Sequence, residues 1–156
     1  MLIAALLLHV HAAYGLTVLN RKARAVKYQS ARDYQVANFA SRTMRWTGII
    51  VLLFLAWHLA DLTWGIEFVN PDFVRGDIAG NLEATFSRWP VVVFYLIAMG
   101  ALGLHIWHGG WSLFQTLGIN NPTFNKWRNY FSYIFATVVA VGFVTVPLAV
   151  AFGIIG

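Results

Sequence analysis

Apolar residues occur in four long, nearly uninterrupted stretches of this chain, and polar segments separate them. A helix needs about 20 mostly apolar residues to cross a bilayer, so each stretch predicts a transmembrane helix. The four predicted spans cover about residues 2–19, 46–65, 90–117 and 130–155. We therefore predict an all-α fold, a polytopic membrane helical bundle that forms a single domain over residues 1–156.

Prolines and tryptophans support these boundaries. Pro90 stands at the start of the third stretch, where its missing N–H costs nothing in the first helical turn, and Pro147 predicts a kink in the fourth. Tryptophans are enriched where membrane helices meet the headgroups. Four of them lie near predicted span ends: Trp46, Trp64, Trp89 and Trp127.

The composition excludes an ordinary soluble domain. Charged residues make up 11% of the 156 and hydrophobic residues 59%, whereas a soluble domain is about 25% charged. No cysteine is present, so this chain by itself holds no disulfide, iron–sulfur cluster or thiolate-bound metal. Any metal chemistry must therefore use histidine and carboxylate.

The charges are distributed unevenly between the three loops. Residues 21–45 carry seven basic residues and one acid, residues 66–89 carry four acids and two basic residues, and residues 118–129 carry two basic residues and no acid. Basic loops stay in the cytoplasm, so we predict cytoplasmic first and third loops, with the middle loop and both termini external. The net charge of +5 is then a topology signal and predicts no nucleic-acid partner. The first loop can also be interpreted as a docking face for a peripheral subunit.

The predicted external N-terminus has two interpretations. Residues 1–8 resemble the apolar region of a signal peptide, but they lack a charged start and no cleavage motif follows. Alternatively, a helix normally precedes Met1, missing through a late start codon or supplied by another chain. We favour the second interpretation.

All five histidines lie inside the apolar stretches: His9, His11, His58, His105 and His108. Lipid cannot solvate imidazole nitrogens, so each ring needs a hydrogen-bond partner or a metal. Histidines on several helices point to a shared ligand within a bundle. The ligand that we predict is haem.

Two of these histidines match in their surroundings and depth. Gly15 and Gly109 each follow a histidine, His11 or His105, by four residues, and a glycine one turn away leaves room for a flat macrocycle. Both helices run from outside to inside, which places the two rings at similar depths, about 15–20 Å from the cytoplasmic loops. Such a pair fits bis-histidine haem ligation.

The other histidines leave alternatives open. His58 belongs to a helix of opposite direction and lies nearer the outer face, where only His9 offers a partner at its depth. His9 and His108 are equally consistent with hydrogen bonding between helices, a proton path or a cavity lining. Arg42 and Arg45, just before a span, are suited to pair with haem propionates.

Three segments resemble a known family. The runs His11–Gly15, Arg45–Ile49 leading to His58, and Leu104–His105 followed by Gly109–Leu113 are similar to the cytochrome b membrane anchor of succinate dehydrogenase and fumarate reductase. The single-subunit, five-helix, two-haem type is the closest in order and spacing. The likeness covers almost the whole chain, although the last helix carries no diagnostic residue.

The resemblance implies a set of axial ligands. His11 and His105 correspond to the two ligands of the haem b nearer the cytoplasmic iron–sulfur subunit, and His58 to one ligand of the haem nearer the outside. The partner of His58 would lie on a helix that this chain does not contain, because the chain begins where the family's second helix begins. One or two haems are therefore expected.

The resemblance also implies partners and a reaction. A flavoprotein subunit and an iron–sulfur subunit would dock on the cytoplasmic face of a bacterial plasma membrane. Electrons from succinate would pass through the haems to a quinone, and this chain would contain no dehydrogenase site. Asp61 and Arg45 are candidate quinone contacts. The type of quinone and the direction of the reaction stay open.

Two other functions compete with this one. A haem-free anchor would use its histidines for packing and hydrogen bonds only. A small proton-coupled transporter would titrate them, but only one acid, Asp61, lies within or at the edge of a span.

Overall fold

The computed structural model describes residues 1–23, 39–119 and 121–155. Across these residues the chain forms helices and no strand, and four helices are long and apolar enough to cross a membrane. The predicted all-α membrane fold is therefore confirmed. Much of the predicted basic loop lies outside the described residues, including Arg24, Lys27, Arg32 and Asp33.

The α-helices of the described part are α1 (Leu2–Lys22), α2 (Phe39–Leu59), α3 (Ile78–Phe86), α4 (Trp89–Thr116) and α5 (Pro122–Ala151). A π-helical turn, Ala60–Trp64, continues α2, so the second membrane-length helix covers Phe39–Trp64. Pro90 lies in the first turn of α4, as predicted. Pro147 lies inside α5, which continues on both sides of it.

Two spans begin earlier than the hydrophobic pattern predicts. The second helix begins at Phe39 instead of near residue 46, and α5 begins at Pro122 instead of near residue 130. The pattern counts apolar residues, whereas a helix begins where its first N–H groups find acceptors. In α5 that acceptor is Asn121, whose Oδ1 accepts a hydrogen bond from the Phe124 N–H at 3.1 Å.

The chain divides into two compact units, residues 1–36 and 37–156. The first unit contains α1, and none of the residues of this helix is buried. A helix that is apolar on all sides and unburied suits a lipid environment. The single domain over residues 1–156 stays a prediction.

In the second unit, α4 packs against both α2 and α5. Small residues allow a close approach to α5: a Cβ at Gly103 would lie 3.3 Å from the Ala140 Cβ, and one at Gly110 would lie 3.0 Å from the Ser132 Oγ. Membrane helices commonly associate through such small residues, because the surrounding lipid gives apolar side chains no reason to cluster.

The connection between the π-helical turn and α4 is an ordered cap, the 65–88 segment. Gly65 has φ +60°, and a Cβ there would overlap the Phe73 ring, so this turn requires glycine. Asn81 exchanges two 2.8 Å hydrogen bonds with the main chain of Val74, and Asp77 caps α3 by accepting from the Gly80 N–H at 2.9 Å. The hydrophobic pattern gave no indication of α3, because nine residues are too few to show a helical period.

Candidate functional site

The structure places the three predicted ligands on three different helices. His11 lies on α1 with an exposed side chain, whereas His58 and His105 lie half-buried on α2 and α4. His11 belongs to the first unit and His105 to the second, so their pairing stays a prediction. His58 and His105 both belong to the second unit, and their surroundings can be described in detail.

Thr47 of α2 holds one side of the His105 ring. The Nδ1 atom of His105 lies 3.3 Å from the Thr47 Oγ1, and this hydroxyl donates to the main-chain oxygen of Met44 at 3.0 Å. The ring also lies against the next residue, Gly48, where a Cβ would come within 3.2 Å of the His105 Cε1. We call these three residues, His105, Thr47 and Gly48, the His105 site.

Gly15 and Gly109, the two glycines that the sequence analysis singled out, have more open surroundings than Gly48. A Cβ at Gly109 would meet only the Met44 Cε, at 3.8 Å, and one at Gly15 would meet nothing within 4 Å. Both positions therefore have open space beside them, and a macrocycle in that space stays a prediction. Gly48, which contacts the His105 ring, was missed, although it lies within the quoted run Arg45–Ile49.

Tyr95 of α4 holds the corresponding side of the His58 ring. The His58 Nδ1 lies 3.3 Å from the Tyr95 hydroxyl oxygen, and the His58 Nε2 has no hydrogen-bond partner among the described residues. Tyr95 is 4% exposed, and its ring makes edge-to-face contacts at 4.9 Å with Phe54 and Phe86. These contacts lock the hydroxyl in position.

Beyond Tyr95 lies a fully buried carboxylate. Asp61 is in the π-helical turn, three residues after His58, and is 0% exposed. Its Oδ2 accepts from the Tyr95 hydroxyl at 3.5 Å, and its Oδ1 accepts from the Thr85 hydroxyl at 3.2 Å and from Arg88 Nη2 at 3.0 Å. Burying a charge is costly unless it is paired and hydrogen-bonded, and Asp61 has both kinds of partner.

Arg88 joins this carboxylate to the 65–88 segment. It forms the ion pair with Asp61 and also donates to the main-chain oxygens of Val69 at 2.6 Å and Ala84 at 3.2 Å. Asn70 adds bonds from its Nδ2 to the Asp61 main-chain oxygen and to the Thr85 hydroxyl. We call the connected group the His58 site: His58, Tyr95, Asp61, Thr85 and Arg88.

The sequence indicated only part of this site. Asp61 was noticed as a lone intramembrane acid and interpreted as a quinone contact, but its fully buried side chain presents no surface to a membrane ligand. Tyr95, Arg88 and Thr85 were not among the candidate site residues. One signal was available, because a buried carboxylate requires a cation and Arg88 lies just before the next span.

The two sites lie at different levels of the bundle. Thr47 precedes His58 by 11 residues on α2, and Tyr95 precedes His105 by ten on α4. At 1.5 Å per residue, the levels are separated by about 15 Å along the helices. Arg42 and Arg45, predicted to pair with haem propionates, are exposed in the first turns of α2, on the His105 side.

His108 lies one turn beyond His105 on α4. Its Nδ1 is buried and has no hydrogen-bond partner in the part of the chain that the structure describes, and its ring centroid is 5.9 Å from that of Trp111. The guanidinium of the buried Arg128 lies over the Trp111 ring, 5.0 Å from its centroid. No set of three or more histidine and acidic side chains in the described ranges could hold a metal ion. A bis-histidine haem needs only two protein ligands.

Comparisons of this chain with protein-family models, with curated proteins and with solved structures found no match.

Proposed function

We propose that this chain is the haem b membrane anchor of a succinate:quinone oxidoreductase. One observation carries the proposal: His58 and His105 each have Nδ1 at 3.3 Å from a hydroxyl of the neighbouring helix. Histidines that bind a metal through one ring nitrogen almost always engage the other with a hydrogen-bond partner of this kind, which fixes the ring and its tautomer. The residues present therefore fit the axial ligands of a haem.

The separation of the two sites supports two haem levels in the proposal. His11 would join His105 at one level, and His58 would use a second ligand from another helix or chain at the other. Haem, when bound, supplies one-electron transfer between the iron–sulfur subunit and a membrane quinone. The residues of this chain would hold the histidine rings, fix their orientation and exclude water from the haem.

Basic residues at one end of α1 and at one end of α2 support the proposed partners. Arg21 and Lys22 end α1, and Arg42 and Arg45 lie in the first turns of α2, all exposed. By the positive-inside rule each of these basic helix ends faces the cytoplasm of a bacterial plasma membrane. A flavoprotein subunit and an iron–sulfur subunit would dock there, and the same charges would pair with propionates.

A haem-free anchor is the second candidate function. His58 and His105 already have hydroxyl partners, so hydrogen bonding alone could account for their presence. This candidate predicts no visible absorbance and a cost of about 0.5–1.5 kcal/mol for removing either ring's hydrogen bond.

A reduced-minus-oxidised visible spectrum of the purified complex, with pyridine haemochrome quantitation, separates the two candidates. We expect one or two b haems per chain. His11→Ala and His105→Ala should remove the same haem, and His58→Ala should leave that haem in place. His108→Ala is the matched control on the same helix as His105, and it should not change haem content.

Two results would contradict these expectations. Absence of haem from the complex would refute the electron-transfer function of this chain and leave the haem-free anchor. Unchanged haem content in His105→Ala, with loss in His108→Ala, would move the ligand by one turn of α4.

A further inference from the structure

The hydrogen bonds at the His58 site have a definite direction. The Asp61 carboxylate, paired with Arg88, can only accept, and it does so from Tyr95, Thr85 and Arg88. A tyrosine hydroxyl has a single proton, so the proton that Tyr95 donates to Asp61 is not available to His58. The Tyr95 oxygen can then only accept from His58, and the 3.3 Å contact becomes an Nδ1–H···O bond.

The reverse arrangement is disfavoured by electrostatics. If Tyr95 donated to His58, the lone pairs of its oxygen would face the Asp61 Oδ2 at 3.5 Å in a buried location. Two acceptors without a proton between them repel each other, and low polarity strengthens that repulsion. Tyr95 also cannot turn away, because Phe54 and Phe86 hold its ring.

We propose that Asp61 and Tyr95 are positioning residues that fix His58 in its Nδ1–H tautomer. In this tautomer Nε2 carries the lone pair and is the atom that can bind a metal. The assignment of a tautomer depends only on the hydrogen bonds described above. The use of the Nε2 lone pair for haem rests on the proposed function.

The position of Asp61 follows from the π-helical turn. Turns of this kind are rare, insert an extra residue into a helix and occur frequently at functional sites. Here the turn contains the buried Asp61. Thr85 and Arg88 of the following segment donate hydrogen bonds to its carboxylate. The 65–88 segment therefore acts on His58 through Asp61 and Tyr95.

The test is nitrogen NMR of the full chain in lipid bilayers, with ¹⁵N- and ¹³C-labelled histidine. The His58 signals are those that disappear in His58→Gln. The two neutral tautomers have distinct ring ¹⁵N shifts, and we expect the Nδ1–H form in the wild type. Tyr95→Phe keeps the buried ring and removes only the hydroxyl, so it should increase the Nε2–H form at His58.

The matched control is Tyr130→Phe on α5, where the tyrosine is 67% exposed. It should leave the His58 signals unchanged. An Nε2–H tautomer of His58 in the wild type would overturn the inference. So would a Tyr95→Phe spectrum in which the His58 tautomer is the same as in the wild type.

A second readout uses the haem-loaded complex and keeps the two proposals distinguishable. An Nδ1–H that donates to a hydroxyl makes the imidazole a stronger electron donor and favours ferric iron, so Tyr95→Phe should raise the midpoint potential of the haem at His58. The potential of the other haem should not move. A complex without haem would refute the proposed function, and the NMR result would still decide the tautomer.

Discussion

The His58 and His105 sites use the same contact in different settings. In both, a hydroxyl of the neighbouring helix lies 3.3 Å from Nδ1 and donates its own proton onward. At the His105 site, the Thr47 hydroxyl donates to the main-chain carbonyl of Met44, which lies one turn earlier on α2. At the His58 site, the acceptor is a buried carboxylate that depends on a partly exposed cation, Arg88, from a different segment.

This difference predicts different sensitivities to mutation. A neutral hydroxyl–carbonyl pair involves α2 alone, and its loss leaves no uncompensated charge. The ionic arrangement involves α2, α4 and the 65–88 segment together, so removing one member leaves a buried charge. The His58 site should therefore be the more fragile of the two, and three predictions test this.

The largest effect should come from Arg88→Gln. Removing one partner of a buried ion pair costs about 3–5 kcal/mol, and because the Arg88 side chain is 33% exposed we expect the lower end of that range. The measurement is the free energy of unfolding in mixed micelles. Arg75→Gln, an exposed arginine of the same segment, is the control and should change it by less than about 0.5 kcal/mol.

The double variant sharpens this test. Adding Asp61→Asn to Arg88→Gln removes the buried charge as well. The double variant should therefore lose less free energy of unfolding than the two single variants lose in sum. Equal costs for Arg88→Gln and Arg75→Gln would mean that the ionic network contributes nothing to the His58 site.

Gly48→Leu should have an intermediate effect, confined to the His105 site. Even a Cβ at this position would lie 3.2 Å from the His105 Cε1, and overpacking typically costs about 1–3 kcal/mol. Gly142→Leu is the control, because a Cβ there meets nothing within 4 Å. If the proposed function holds and both levels carry haem, haem content gives a second readout: we expect loss at the His105 level and retention at the His58 level. Loss of both haems would show that the two sites are not independent.

More of the fold than of the candidate site could be predicted from the sequence. The apolar stretches predict four spans because hydropathy is a local property. The largest errors were at the starts of α2 and α5, where polar residues extend the helices. The partners of His58 could not be predicted in the same way. Tyr95 lies 37 residues from His58 in sequence and contacts it from α4. Thr85 and Arg88 lie 27 and 30 residues from His58, and both bind Asp61 of the π-helical turn.

The His105 site shows the opposite case and could have been predicted more fully. Thr47 and Gly48 are adjacent in sequence, in a run that was already singled out, and a small residue beside a hydroxyl residue on a membrane helix is a typical place for a neighbouring ring to pack. To predict that the ring packed against Thr47 and Gly48 belongs to His105, the pairing of α2 with α4 would have to be known. Pairing between helices is a property of the whole bundle, which a single apolar pattern does not contain.

The smallest effect should come from Thr47→Val, which removes the hydroxyl and keeps the branched shape. Thr47 is 5% exposed, so the His105 Nδ1 would lose this contact at a cost of about 0.5–1.5 kcal/mol. Thr43→Val is the matched control one turn earlier on α2, where the hydroxyl bonds only to main-chain oxygens of its own helix. The comparison between the sites requires Thr47→Val to cost less than Arg88→Gln. The reverse order would mean that the neutral contact, and not the ionic one, is the more important support of a histidine in this bundle.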